Sequence, residues 1–111
     1  MGQIVFAMND IERAKIEYLI SSVNELKGAR FIRNGSEYDT AAASNHLRRK
    51  LKAAGNKIST AEQFIEYCAS KSSISGEPYT IRMSEGIVVQ SGTYFRERLK
   101  SYPENSDKSR H

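Results

Sequence analysis

Tryptophan is absent from this chain, and cysteine occurs once, at Cys68. A lone cysteine closes no internal disulfide and cannot build a cysteine-rich zinc site. Histidine is nearly as scarce: there are two, and His111 is the last residue. A histidine-based metal centre is therefore disfavoured, and no metal is expected. No apolar run reaches the roughly 18 residues that a membrane-crossing helix needs. The phosphate-binding loop, the G-x-G-x-x-G turn, the EF-hand loop and the G-x-S-x-G elbow are also missing. No cofactor is implied, and no reaction class declares itself.

What remains is a chain of 111 residues, enough for one domain and too short for two. Apolar residues make up 39% and charged residues 27%, so a core can form, with Tyr and Phe supplying its large pieces. The net charge of +4 fits nucleic acid, an anionic membrane surface or an acidic partner. It also fits an ordinary solvated surface, which is the favoured reading. Near the start, Gln3-Ile4-Val5-Phe6-Ala7 reads as the end of a secretory signal peptide, with cleavage after Ala7. The alternative is a short strand or a disordered arm.

Asn9 and Glu12 are spaced as a capping box opening a first helix, and Gly28 is placed to end it. Ile11, Lys15, Tyr18, Leu19, Ser22, Val23 and Leu26 form its expected inward stripe. Asn34-Gly35, between Phe31 and Tyr38, predicts either a tiny hairpin or a compact loop. Asp39 or Thr40 opens a second helix with Ala43, Leu47, Leu51 and Ala54 inside and Arg48, Arg49, Lys50 and Lys52 outside; Gly55 ends it. Ser59 and Glu62 suggest a capping box for a third helix, whose stripe is Ala61, Phe64, Ile65, Cys68 and Ala69. Cys68 on that stripe reads as a small buried hydrophobe. A serine-rich loop follows, then strands at Pro78–Met83 and Ile87–Gln90 around Ser84-Glu85-Gly86, which predict one hairpin. A last helix runs from about Thr93 to Tyr102, with Phe95, Leu99 and Tyr102 on one face.

The expected fold is α+β and α-dominated, with about four helices packed on one short β-hairpin. Residues 1–8 are expected to be the signal remnant, 9–102 a single globular domain and 103–111 a disordered polar tail.

Chemistry is thin. His46 with Ser72, Ser73 or Ser75 is the one conceivable base and nucleophile pairing, and nothing in the sequence supplies an orienting third group. The basic segment from His46 to Lys52 lacks interleaved aromatics, so nucleic acid is disfavoured as a partner.

Several pieces together carry a family resemblance: Phe31-Ile32-Arg33-Asn34-Gly35 with Tyr38, Ala41-Ala42 with His46-Leu47-Arg48 and Lys50, Thr60 to Ile65, Ala69-Ser70, Ser72-Ser73 with Ser75-Gly76, and Pro78-Tyr79 leading to Ile81. In order and spacing the chain resembles the uncharacterised bacterial family known as domain of unknown function 5329. The resemblance implies export to the periplasm and brings no assigned activity. It marks Asn34, Gly35, Tyr38, His46, Arg49, Lys50, Ser72, Ser73, Ser75, Gly76 and Tyr79 as motif positions. The favoured reading of these is structural: Asn34-Gly35 as a turn, Tyr38 and Tyr79 in the core, Ser72, Ser73 and Ser75 on helix-end backbone groups, Gly76 in the loop, and His46 bonding across to the serine loop. His46, Arg49, Lys50, Ser72, Ser73, Ser75 and Tyr79 are the candidate binding residues, forming a polar groove between the second helix and that loop.

The resulting expectation is a periplasmic or secreted, non-enzymatic interaction module for a protein or an acidic envelope component. An inhibitor or immunity-type protein, with the turn from Ser75 to Tyr79 as a plug, is the second reading. A small Ser/His hydrolase is the third.

Overall fold

The computed structural model describes residues 9–103. The signal-like segment within 1–8 and the polar tail from Glu104 onward lie outside the described residues. Helix α1 (Asp10–Val23) begins where Asn9 accepts the Glu12 backbone N–H at 2.9 Å. The carboxylate of Glu12 does not complete a box on its own helix. It crosses to the start of the third helix and accepts the Ala61 N–H at 2.8 Å. The buried face of α1 is Ile16, Leu19, Ile20, Ser22 and Val23, whereas Ile11 faces solvent. The inward stripe is thus rotated from the one expected, because Ile16 and Ile20 lie on it and Ile11 does not. The helix also ends earlier than predicted. Overlapping turns at Asn24, Glu25 and Leu26 follow, and Gly28 takes φ +78° only after them.

Strands β1 (Arg30–Arg33) and β2 (Ser36–Tyr38) flank Asn34-Gly35. Both turn residues have positive φ, 49° and 81°. That is the conformation a two-residue hairpin turn requires and the one Asn and Gly tolerate best. Helix α2 (Thr40–Ala54) is capped by Asp39, which accepts the Ala42 N–H at 2.9 Å, and Gly55 closes it. Helix α3 (Ala61–Phe64) widens into a π-helical turn, Ile65–Ala69. Its cap is displaced by one residue from the expected Ser59/Glu62 pair. Thr60 accepts the Gln63 N–H at 3.1 Å, and the Gln63 side chain accepts the Ser59 N–H at 2.7 Å. Ser70 closes the wide turn by donating its hydroxyl to the Ile65 carbonyl at 2.7 Å.

Strands β3 (Thr80–Arg82) and β4 (Val88–Gln90) form the anticipated hairpin. It does not stand alone, as expected, but joins the first hairpin. The result is one antiparallel four-stranded sheet in the order β2-β1-β3-β4. Phe31 sits opposite both Tyr38 and Ile81, and Ile81 opposite Val89. Directly opposed residues share a face, so Tyr38, Phe31, Ile81 and Val89 form one row across the sheet. Phe31 and Ile81 at its centre are buried. A two-stranded ribbon is marginal by itself, and merging two of them gives each short strand a partner and a common buried face.

Helix α4 (Ser91–Lys100) starts directly from β4 and buries Phe95 edge-on against Phe64 and Tyr94. Gly92 lets it close on the π-helical turn, since a Cβ there would lie 2.8 Å from the Ser70 hydroxyl. Cys68 is buried as expected, and burial raises its thiol pKa, so the thiol form is held. No helix among the described residues is long and apolar enough to cross a membrane.

Candidate functional site

The period of the first hairpin decides what faces α2. Arg33 is two residues beyond Phe31, and side chains two apart in a strand point to the same face. Arg33 therefore leaves the sheet on the core side, toward the helix. On α2, Ala42, His46 and Arg49 recur at spacings of four and three and form one stripe opposite it. Between these two surfaces lies a cavity of about 250 Å³. Phe31, Ala43, Leu47, Tyr79, Ser91 and Phe95 supply its buried walls, and Asn45 and Arg49 are exposed at its mouth. Small Ala42 and Ala43 are what leave the space open.

Tyr79 is fixed in the wall by its own backbone. Its N–H donates to the Ser70 carbonyl and its carbonyl accepts the Ser91 N–H, each at 2.9 Å. Its ring stands edge-on to the His46 imidazole, with centroids 6.0 Å apart at 73°. Two matched cation–tyrosine pairs border the space. Lys50 Nζ donates to the Tyr79 hydroxyl at 3.1 Å and lies 5.4 Å from the ring centroid. Arg33 Nη2 donates to the Tyr38 hydroxyl at 3.3 Å, with its guanidinium 5.4 Å from that ring. Such contacts hold long cationic side chains in place without neutralising them.

The electrostatics are one-sided. No carboxylate lines the cavity. Burial, and then the charges of Arg33, Lys50 and Arg49, push the His46 pKa down to about 4. The imidazole is therefore neutral at physiological pH. Its Nε2 is buried without a hydrogen-bond partner, and so is Nε of Arg33. Buried polar atoms are nearly always paired; of the three unpaired side-chain nitrogens among the described residues, two belong to residues lining this cavity and the third is Nε of Arg98, whose guanidinium packs on Tyr18.

The sequence-marked residues separate into two groups. His46, Arg49, Tyr38 and Tyr79 line the cavity, and Lys50 reaches it through Tyr79. Ser72, Ser73 and Ser75 do not. Ser72 Oγ accepts the N–H groups of Ile74 and Ser75, each at 3.2 Å, and the Asn34 amide at 3.3 Å. Ser75 Oγ donates to Asn34 Oδ1 at 2.7 Å. Gly76, with φ +77°, returns its N–H to the Ser72 carbonyl at 2.9 Å. The serine loop is thus tied to the β1–β2 turn, and the expected bond from His46 to this loop is not made. Ser73 lies on a separate groove with Lys50, Tyr67 and Cys68. Tyr79 is buried, so a plug formed by the turn from Ser75 would not present it.

Two site residues escaped the sequence reading. Arg33 was seen only as part of a motif, though its two-residue spacing from Phe31 gave its direction. Ser91 lines the cavity beside His46 but makes no hydrogen bond to the unpartnered Nε2. Among the described residues no group of three or more His, Cys, Asp or Glu could hold a metal.

The fold and this site define a small α+β domain with an aromatic-walled, cation-bordered cavity between a helix and a sheet. The chain belongs to the family of unknown function DUF5329, which it matches over residues 10–103. It is similar to the uncharacterized protein YfeK of Salmonella typhimurium, at 43% identity over 72 residues. That stretch is 65% of this chain and 60% of the relative, so the chain spans less than two thirds of that protein's length. No solved structure matches it.

Proposed function

We propose that this domain is a non-enzymatic binding module of the bacterial envelope and that its binding site is the cavity between α2 and the sheet. One observation carries the reading: Arg33 and His46 both line the cavity, and each keeps a buried nitrogen that has no partner in the protein. A group that must find its hydrogen bonds elsewhere is placed to meet a ligand. The reading without catalysis rests on placement. Ser72 and Ser75 are committed to backbone and to Asn34, Ser73 lies on a separate groove, and His46 bonds to no hydroxyl, whereas hydroxyl activation needs a base within hydrogen-bond reach. Export rests on the signal-like Gln3–Ala7 segment and is tested separately, by recovery of the tagged natural protein in an osmotic-shock fraction.

The binding site is tested by a fragment screen read on backbone amide NMR shifts. Perturbations clustered on Phe31, Tyr38, His46, Tyr79 and Phe95 are expected. Perturbations confined to the serine loop, around exposed Ile74, would instead favour an inhibitor-type surface there and overturn the cavity reading.

A further inference from the structure

The cavity also carries a statement about what it takes, and this rests on its being the binding site. We propose that it binds a small free organic acid, with a compact apolar body inside and a carboxylate between Arg33, His46 and Arg49.

The size is informative first. An engineered apolar cavity of about 150 Å³ holds a benzene molecule. At about 250 Å³, this one has room for a six-membered ring or a branched chain of similar bulk, plus a small polar head. The deep walls, Phe31, Leu47 and Phe95, offer that body only apolar contact.

The charge pattern then selects the head. Arg33, Arg49 and Lys50 make no ion pair with any carboxylate among the described residues, whereas Arg48, Arg82 and Arg96 are each paired with a glutamate. Both unpartnered nitrogens belong to groups that can donate: the Arg33 Nε–H always, and His46 Nε2 in the tautomer that carries its proton there. A carboxylate meets the uncompensated charge and offers acceptors to these donors, and charge-assisted bonds of this kind are the stronger class. An ammonium ligand would face three like charges and no acceptor carboxylate. A neutral ligand would leave the charge uncompensated.

The same geometry supplies a readout besides affinity. The groups facing the His46 imidazole are Arg33 from β1, Arg49 and Lys50 on α2, and Tyr79 ahead of β3; Tyr38 of β2 holds the Arg33 guanidinium. No acidic side chain is among them. A carboxylate seated there adds the missing negative charge, so the imidazole becomes easier to protonate.

The experiment titrates the folded chain with benzoate, benzamide and benzylamine at low salt, by calorimetry and by histidine ring NMR. Benzoate is expected to bind at least tenfold more tightly than benzamide, with no binding of benzylamine. Saturating benzoate is expected to raise the His46 pKa by about one unit or more. Arg49→Gln, an exposed position that makes no hydrogen bond, tests the head without disturbing the fold, and should weaken benzoate several-fold. Benzamide binding as tightly as benzoate would overturn the acid, while its shifts at Phe31 and Phe95 would leave the binding site standing. Shifts from all three ligands falling outside the cavity would overturn both. An acetylated tripeptide ending in free phenylalanine, if it binds more tightly than benzoate, would assign the carboxylate to a chain terminus and overturn the free acid.

Discussion

Asn34 shows how much one residue can hold. It takes φ +49° in the β1–β2 turn, and its side chain receives Ser75 and donates to Ser72. Alanine there loses both bonds and resists the left-handed conformation. Asn34→Ala is expected to lower stability by about 2–3 kcal/mol in denaturant unfolding, and Ser75→Ala by about 1 kcal/mol. Equal, negligible effects would mean that the turn and the loop are not coupled. The Asn-Gly turn was legible from sequence, because the dipeptide has few other uses. Its second task was not, since Ser72 and Ser75 lie about forty positions away and local spacing says nothing of such pairings. The placement of His46 failed for the same reason. Its helix was clear, but whether it met the serine loop or the sheet depended on how the two hairpins joined.

At the scale of elements, the boundaries that capping chemistry marks were recovered best. Asp39 and Gly55 bracket α2 as read, and the third helix and second hairpin lie where their patterns put them. The capping partners were misassigned. Glu62, spaced to cap its own helix, is exposed, while Glu12 arrives from α1 and accepts the Ala61 N–H. A first-turn N–H of α3 is thus satisfied by another helix, which couples the two. Glu12→Ala is expected to cost about 1–2 kcal/mol, and Glu62→Ala less than about 0.5 kcal/mol. The reverse order would return the capping role to Glu62. The sheet was half legible. Each hairpin carries its own turn signal, but the β1–β3 pairing that unites them depends on the row from Tyr38 to Val89 finding a common core. The π-helical widening after Phe64 has no local signal, and it is stabilised by Ser70 and by the close approach of Gly92.

For the molecule as a whole, the binding role proposed for His46 comes at some expense of stability. Its folded pKa, near 4, lies below the ordinary 6.5. The unfolded chain therefore takes up the proton first as pH falls. The resulting stability is complete above about pH 6.5 and is lost progressively toward pH 4. Because the ring is only partly buried, the loss between pH 7 and pH 5 is about 1 kcal/mol after allowance for screening. Leucine at this position removes both the titration and the unpartnered nitrogen, and gives up the edge contact with Tyr79, worth about 0.5–1.5 kcal/mol. The most direct measurement is the denaturant unfolding of His46→Leu beside the parent, at pH 7 and at pH 5. The account predicts stabilities within about 1 kcal/mol of each other at pH 7, with a smaller loss at pH 5 in the variant. A variant weaker by about 3 kcal/mol or more at pH 7 would contradict it, and would make His46 a structural clamp.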